Sequence, residues 1–222
     1  MNGLILIGSP KGRRSASFLL ASKLAEGLRE YGVSVSEELV HAGLRSEEGT
    51  LRLLDAVDGS DLLVLAFPLY VDSLPAPLTR LVELVAERRT RVASPGTPRL
   101  AIIVQCGFPE VHQCDTAVGI CRLFAERTGM RWAGAVAMGM GGSVSGDIRK
   151  LPGGGKNLLK ALEMAAESLA KGGDVPAEAT ALFATPLMPR WMYTLFGNLG
   201  WRMQMRKNKA RRPLTYRPYS QE

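Results

Sequence analysis

The chain has 222 residues and 46% hydrophobic content, enough for one well-buried domain with an appendage and tight for two. Its formal net charge of +7 sits at the end: from Arg190 onward there are eight basic residues against one acid, which leaves 20 of each sign before it. A neutral body excludes general nucleic-acid binding, and Cys106, Cys114 and Cys121 are spaced too widely for a zinc ribbon or an iron–sulfur cluster, so they read as buried free thiols.

The chain opens on a strand-like run, "GLILI" (3–7), with no basic region leading into a long apolar stretch. No signal peptide and a cytoplasmic protein are therefore expected. The loop "GSPKGRRSAS" (8–17) follows. It fails the P-loop pattern, which would need a glycine and a lysine where Arg13 and Arg14 stand, and it fails the dinucleotide fingerprint because Pro10 follows Gly8 two residues on. Its serine hydroxyls, at Ser9, Ser15 and Ser17, together with backbone amides and a following helix N-terminus, suit one terminal phosphate. The plain alternative is a strand-to-helix turn with a serine N-cap. A helix is expected over about 17–31, where Leu20, Leu24 and Leu28 share a stripe with Ala21 and Ala25.

The second strand, "VSVSEEL" (33–39), alternates and reads as an edge; a helix follows at about 47–58. The third strand, "DLLVLAF" (61–67), is uniformly apolar, as strands covered on both faces are. It runs into "FPLYVDSLPAPL" (67–78), where prolines stiffen the loop, Tyr70 offers a flat face and Ser73 can bond a polar ring edge. Leu78, Leu81, Val82 and Val85 then mark a helix at about 76–91. The fourth strand, "RLAIIVQ" (99–105), leads to "QCGFPEVHQCD" (105–115), in which Gly107 permits close backbone approach and Phe108 adds a second apolar surface. His112 reads as a loop histidine: His41 is the only other in the chain, and no nucleophile elbow is present, "GGSVSG" (141–146) being off by one. A helix at about 113–129, a strand "RWAGAVAM" (131–138) and a helix at about 155–171 complete the alternation. After "KGGDVP" (171–176) the chain turns aromatic and then basic, an appendage and not a sixth strand–helix unit.

Strands and helices in strict alternation predict an α/β fold, a three-layer doubly wound sheet of five parallel strands in the flavodoxin-like order 2-1-3-4-5. The expected division is residues 1–175 as this domain and 176–222 as a helical, basic C-terminal extension. In such a sheet ligands bind at the carboxyl ends of the strands where chain order reverses, which singles out the loops after the first and third strands, with the loop after the fourth beside them.

In order and placement, "GSPKGRRSAS", "PLYVDSLPAPL" and "CGFPE" resemble the flavodoxin-like superfamily, and within it the NAD(P)H-dependent FMN and quinone reductases. The resemblance covers residues 2 to about 170, and Arg13–Arg14 depart from it as a basic insertion. It implies an FMN site in which Ser9, Lys11, Ser15 and Ser17 hold the phosphate. Pro68, Leu69, Tyr70, Ser73 and Leu74 would border the isoalloxazine ring, and Cys106, Gly107, Phe108 and Glu110 would line its other edge. The implied activity is an oxidoreductase passing electrons from NADPH or NADH to a quinone, flavin or similar small acceptor, with no dedicated catalytic acid or base, no metal and a homodimer as the expected assembly. Its rival is a flavodoxin-type electron carrier without a nicotinamide site. Residues 190–217 offer packing on the body or a second subunit, or peripheral contact with a membrane or anionic partner; the prolines, Gly197 and Asn198 argue against a membrane span.

Overall fold

The computed structural model describes residues 1–91, 96–146, 148, 151, 153–209 and 216. Its sheet is parallel throughout, in the expected order β2-β1-β3-β4-β5. The strands are β1 (Asn2–Ile7), β2 (Ser34–Leu39), β3 (Leu62–Pro68), β4 (Arg99–Gln105) and β5 (Arg131–Met138). β3 and β4 are buried at every residue, while β2 alternates between exposed and half-buried positions. The uniform apolar runs lie centrally because both of their faces are covered; the alternating run is an edge.

Successive side chains of a strand point to opposite faces. On one face Leu4, Leu6, Leu63, Leu65, Leu100 and Ile102 meet α3 (Glu47–Asp58), α4 (Ala76–Arg91) and α5 (Asp115–Arg127) through Leu53, Leu78, Leu81, Cys121 and Phe124. The other face is covered by α1 (Ala16–Glu30) and α6 (Gly155–Ala170), whose apolar stripes, Leu20, Leu24 and Leu28 on α1 and Leu158, Leu162 and Leu169 on α6, are buried. A short helix α2 (Val40–Gly43) follows β2. Serine caps set two helix starts: Ser15 accepts from the Phe18 amide for α1, and Ser46 from the Gly49 amide for α3.

α7 (Ala177–Phe183) packs with the sheet. Ala179, Phe183 and Leu187 are buried, Val175 donates its amide to Ala133 O at 2.7 Å, and Thr180 Oγ1 donates to Ala135 O at 3.0 Å, so this segment covers the free edge of β5. The compact unit accordingly runs from Met1 to Leu187. A second unit begins at Met188 and contains α8 (Arg190–Lys207), none of whose residues is buried. Arg211, Arg212 and Arg217, part of the basic end read from the sequence, lie outside the described residues.

Candidate functional site

Four loops converge at the carboxyl ends of β1, β3, β4 and β5. The first is fastened at its base, where the Gly8 amide donates to Ala66 O at 2.9 Å. It then makes a turn closed by Gly12 N to Ser9 O at 3.0 Å, with Gly12 at φ +57°, and a 3-10 turn over Gly12–Arg14. The Ser15 hydroxyl donates to Gly12 O at 2.7 Å and accepts from Phe18 N at 3.1 Å. It therefore builds the helix start and leaves the first-turn amides of Ala16 and Ser17 outside the helix's own ladder, next to the positive end of the α1 dipole. Ser17 Oγ is fully buried with no hydrogen-bond partner among the described residues. Beneath the loop, the His41 ring packs on Gly12: a Cβ on that glycine would stand 3.2 Å from His41 Cε1, and His41 Nδ1 is also buried without a partner among the described residues.

The loop after β3 folds back on itself. Tyr70 and Ser73 exchange backbone hydrogen bonds at 3.0 and 3.1 Å around Val71 (φ 49°) and Asp72 (φ 57°). A two-residue turn with both central φ positive favours glycine or asparagine. A β-branched residue there is strained, and Val71 is 97% exposed. Leu74 anchors the loop in the core, and the Leu69 amide donates to Gln105 O at 2.8 Å, joining this loop to the end of β4.

The loops after β4 and β5 are locked together. Gly141 N donates to Cys106 O at 2.8 Å, and Met140 N to Phe108 O at 2.7 Å. A Cβ at position 141 would lie 1.6 Å from Gln105 Oε1, so a larger residue there would displace the Gln105 amide. Cys106 Sγ sits 3.6 Å from both Phe108 O and Glu110 O. Interaction with the neighbouring Cys114 thiol draws Cys106 down, against the opposing effect of burial, and together with burial the same interaction raises Cys114. Burial alone pushes Cys121 up to about 12.

Between these loops lies a cleft of about 360 Å³, within the usual span of small-molecule sites. Of the residues singled out from the sequence, Ser9, Lys11, Ser15, Pro68, Leu69, Tyr70 and Gly107 line it. Ser17, Leu74 and Cys106 are buried beside it, and Ser73, Phe108 and Glu110 stand outside its lining. Arg14 also lines the cleft, whereas Arg13 turns away with its guanidinium 5.3 Å from the Phe18 ring centroid. Gln105, Gly141, Gly142, Val144 and Ser145 complete the wall. The glycines of "GMGGSVS" at a strand's carboxyl end are the signal that sequence reasoning passed over. His112 is exposed, beside Gln113. A larger cavity of about 480 Å³ lies at the opposite, amino-terminal ends of β3 and β4, where Asp58 and Asp61 face Arg99 and Arg131. It carries both signs of charge and no helix N-terminus, and it is at the wrong end of the sheet for a ligand site of this fold. Among the described residues no group of three or more histidine, cysteine or acidic side chains is placed to hold a metal.

No family model and no curated protein matches the sequence. Solved structures similar to the chain include an FMN-dependent NADH-azoreductase from Bacillus anthracis in complex with FMN (TM-score 0.56, 14% identity, covering 77% of this chain and 100% of that one). They also include an NADPH-quinone reductase from P. pentosaceus (0.55, 18%, 75% and 98%) and a flavodoxin from Streptococcus pneumonia TIGR4 (0.52, 17%, 78% and 99%). At these identities the likeness shows a shared flavodoxin-like fold.

Proposed function

We propose that the cleft binds FMN and that the protein is an oxidoreductase using NADH or NADPH to reduce a small acceptor such as a quinone or a flavin. The observation that carries this reading is the start of α1, where a helix N-terminus with uncommitted amides stands by Lys11 and Arg14 at the topological switch point, beside the buried Ser17 hydroxyl, which has no partner among the described residues. A terminal phosphate in the cleft answers the amides and both cations with no metal needed, and Ser17, buried beside the lining, is assigned to it as a further donor. The rest of the cleft fits a flat ring: Tyr70 and the stiff Pro68–Leu69 segment on one side, and the backbone of Gly107 and Gly141 with the Gln105 amide on the other. The solved azoreductase and quinone reductase of the same fold give the reading its cofactor and donor.

Bound FMN supplies two-electron transfer between a nicotinamide donor and the acceptor. The chain's own part is positioning. Ser15 holds the loop in the shape that points the α1 amides inward, and Lys11 and Arg14 offset the phosphate charge. The Tyr70–Ser73 turn holds Tyr70 at the mouth, 43% exposed and accessible to a second planar molecule. No dedicated acid or base is assigned. The test is an anaerobic titration of the FMN-reconstituted protein with NADH and with NADPH. Loss of the oxidised flavin absorbance within seconds is expected with at least one donor; a bound flavin that neither donor reduces would make the protein an electron carrier instead.

A further inference from the structure

We propose that α8 docks the protein on an anionic phospholipid bilayer, lying along the surface with its apolar stripe at the headgroup–acyl boundary. The helix runs for 18 residues, roughly 27 Å, and buries none of them. Leu195, Phe196, Leu199 and Met203 are each more than half exposed, and Trp191 and Trp201 are 67% and 68% exposed. Met192, Leu195, Phe196, Leu199 and Met203 follow the spacing i, i+3, i+4, i+7, i+11, which gathers these five on one side of an α-helix, while Trp201 turns the other way with Thr194, Gly197 and Gln204. A contiguous apolar face of this size in water marks an interaction surface.

Charge identifies the occupant. α8 carries Arg190, Arg202, Arg206 and Lys207 and no acid, and the sequence has no Asp or Glu between Glu178 and Glu222. The partner is therefore anionic; a second copy of α8 would set like charges against each other. Among the described residues no helix is long and apolar enough to cross a membrane, and Gly197, Asn198 and Gly200 interrupt the apolar run, so the helix lies on the bilayer. Trp191 and Tyr193, which flank the stripe at its start, suit the headgroup level, where an aromatic body is apolar and its polar edge is wet. The long arginine side chains can cover the flank of the stripe while their guanidinium groups reach lipid phosphates. An acidic protein surface would answer the charges but not the exposed stripe of Leu195, Phe196, Leu199 and Met203.

The experiment is sedimentation of the full chain with vesicles of phosphatidylcholine alone and of phosphatidylcholine mixed with phosphatidylglycerol, with tryptophan emission recorded in parallel. It reads binding without any flavin, so its outcome is independent of the function proposed above. Expected are binding to the mixed vesicles only, a blue shift of the emission, and release by salt. Arg202→Gln with Arg206→Gln should weaken partitioning roughly thirtyfold, at about fivefold per basic residue. Leu195→Gln with Leu199→Gln should abolish it. Since none of these side chains is buried, both variants should keep the wild-type far-UV circular dichroism. Equal binding to both vesicle types, or either variant sedimenting like the wild type, would overturn the proposal. So would binding to a soluble polyanion such as heparin that persists in the leucine variant while the vesicles are ignored, or a vesicle-free dimer that needs Leu195 and Leu199.

Discussion

Ser17→Ala separates a binding role from a structural one, because the two give opposite signs. In the ligand-free protein Ser17 Oγ is wholly buried and has no partner among the described residues. Such a group costs about 1–3 kcal/mol, and removing one oxygen from the first turn of α1 gives back a little of that in lost packing. A net gain of about 1 kcal/mol is expected, which at an m-value of about 2.5 kcal/mol/M raises the urea midpoint by roughly 0.4 M. Binding should move the other way. A hydrogen bond to a charged group contributes about 1.5–3 kcal/mol, so FMN affinity should fall about 10- to 150-fold. The assays are urea unfolding of the apoprotein followed by circular dichroism, and titration of FMN followed by quenching of its fluorescence. A lower apoprotein midpoint, or unchanged FMN affinity, would refute the assignment of this hydroxyl to the phosphate.

Gly8→Ala would place a Cβ 2.7 Å from Leu78 Cδ2 and 3.1 Å from the Cβ atoms of Leu78 and Phe67, two fully buried residues with nowhere to move; overpacking of this kind should cost about 1–3 kcal/mol in urea unfolding. Arg99→Leu removes the guanidinium that donates to Leu169 O and Gly173 O, both at 2.8 Å, and should destabilise by about 2–3 kcal/mol, with the C-terminal end of α6 gaining hydrogen exchange first. Cys121 stays protonated to about 12 when folded but ionises near 9 once unfolded. Its contribution is thus complete below pH 9 and declines above it, by at most about 1.4 kcal/mol per pH unit. Unfolding midpoints measured from pH 8 to 11 should show that decline, and Cys121→Ala should make it shallower, the raised Cys114 keeping the remainder.

The sheet was legible because its signals are local. Uniform apolar runs at β3 and β4, alternation at β2 and the serine at 15 each act within a few residues of themselves, and the handedness of crossovers turns them into the observed order. The cleft was legible in part for the same reason, since topology names the loops before their residues are read. What escaped depends on contacts distant in sequence. Gly141 enters the wall only because its amide bonds Cys106 O, and His41 reaches Gly12 only because β2 ends beside β1. Arg13 and Arg14 are indistinguishable in sequence; one reaches the cleft and the other lies over Phe18. The composition changes after residue 175, while Phe183 and Leu187 carry enough apolar surface to hold the next segment against the body. Ser15 allowed two readings, cap or phosphate ligand, and the geometry makes it the cap that shapes the loop.

The central claim is that the start of α1 recognises a terminal phosphate carried by a flavin. Titrating the apoprotein in parallel with FMN and with riboflavin, which differ only by that phosphate, tests it most directly. The account predicts FMN binding at least about a hundredfold tighter than riboflavin, as expected for two or more charge-assisted hydrogen bonds. Equal affinity for the two, or binding of neither, would contradict it.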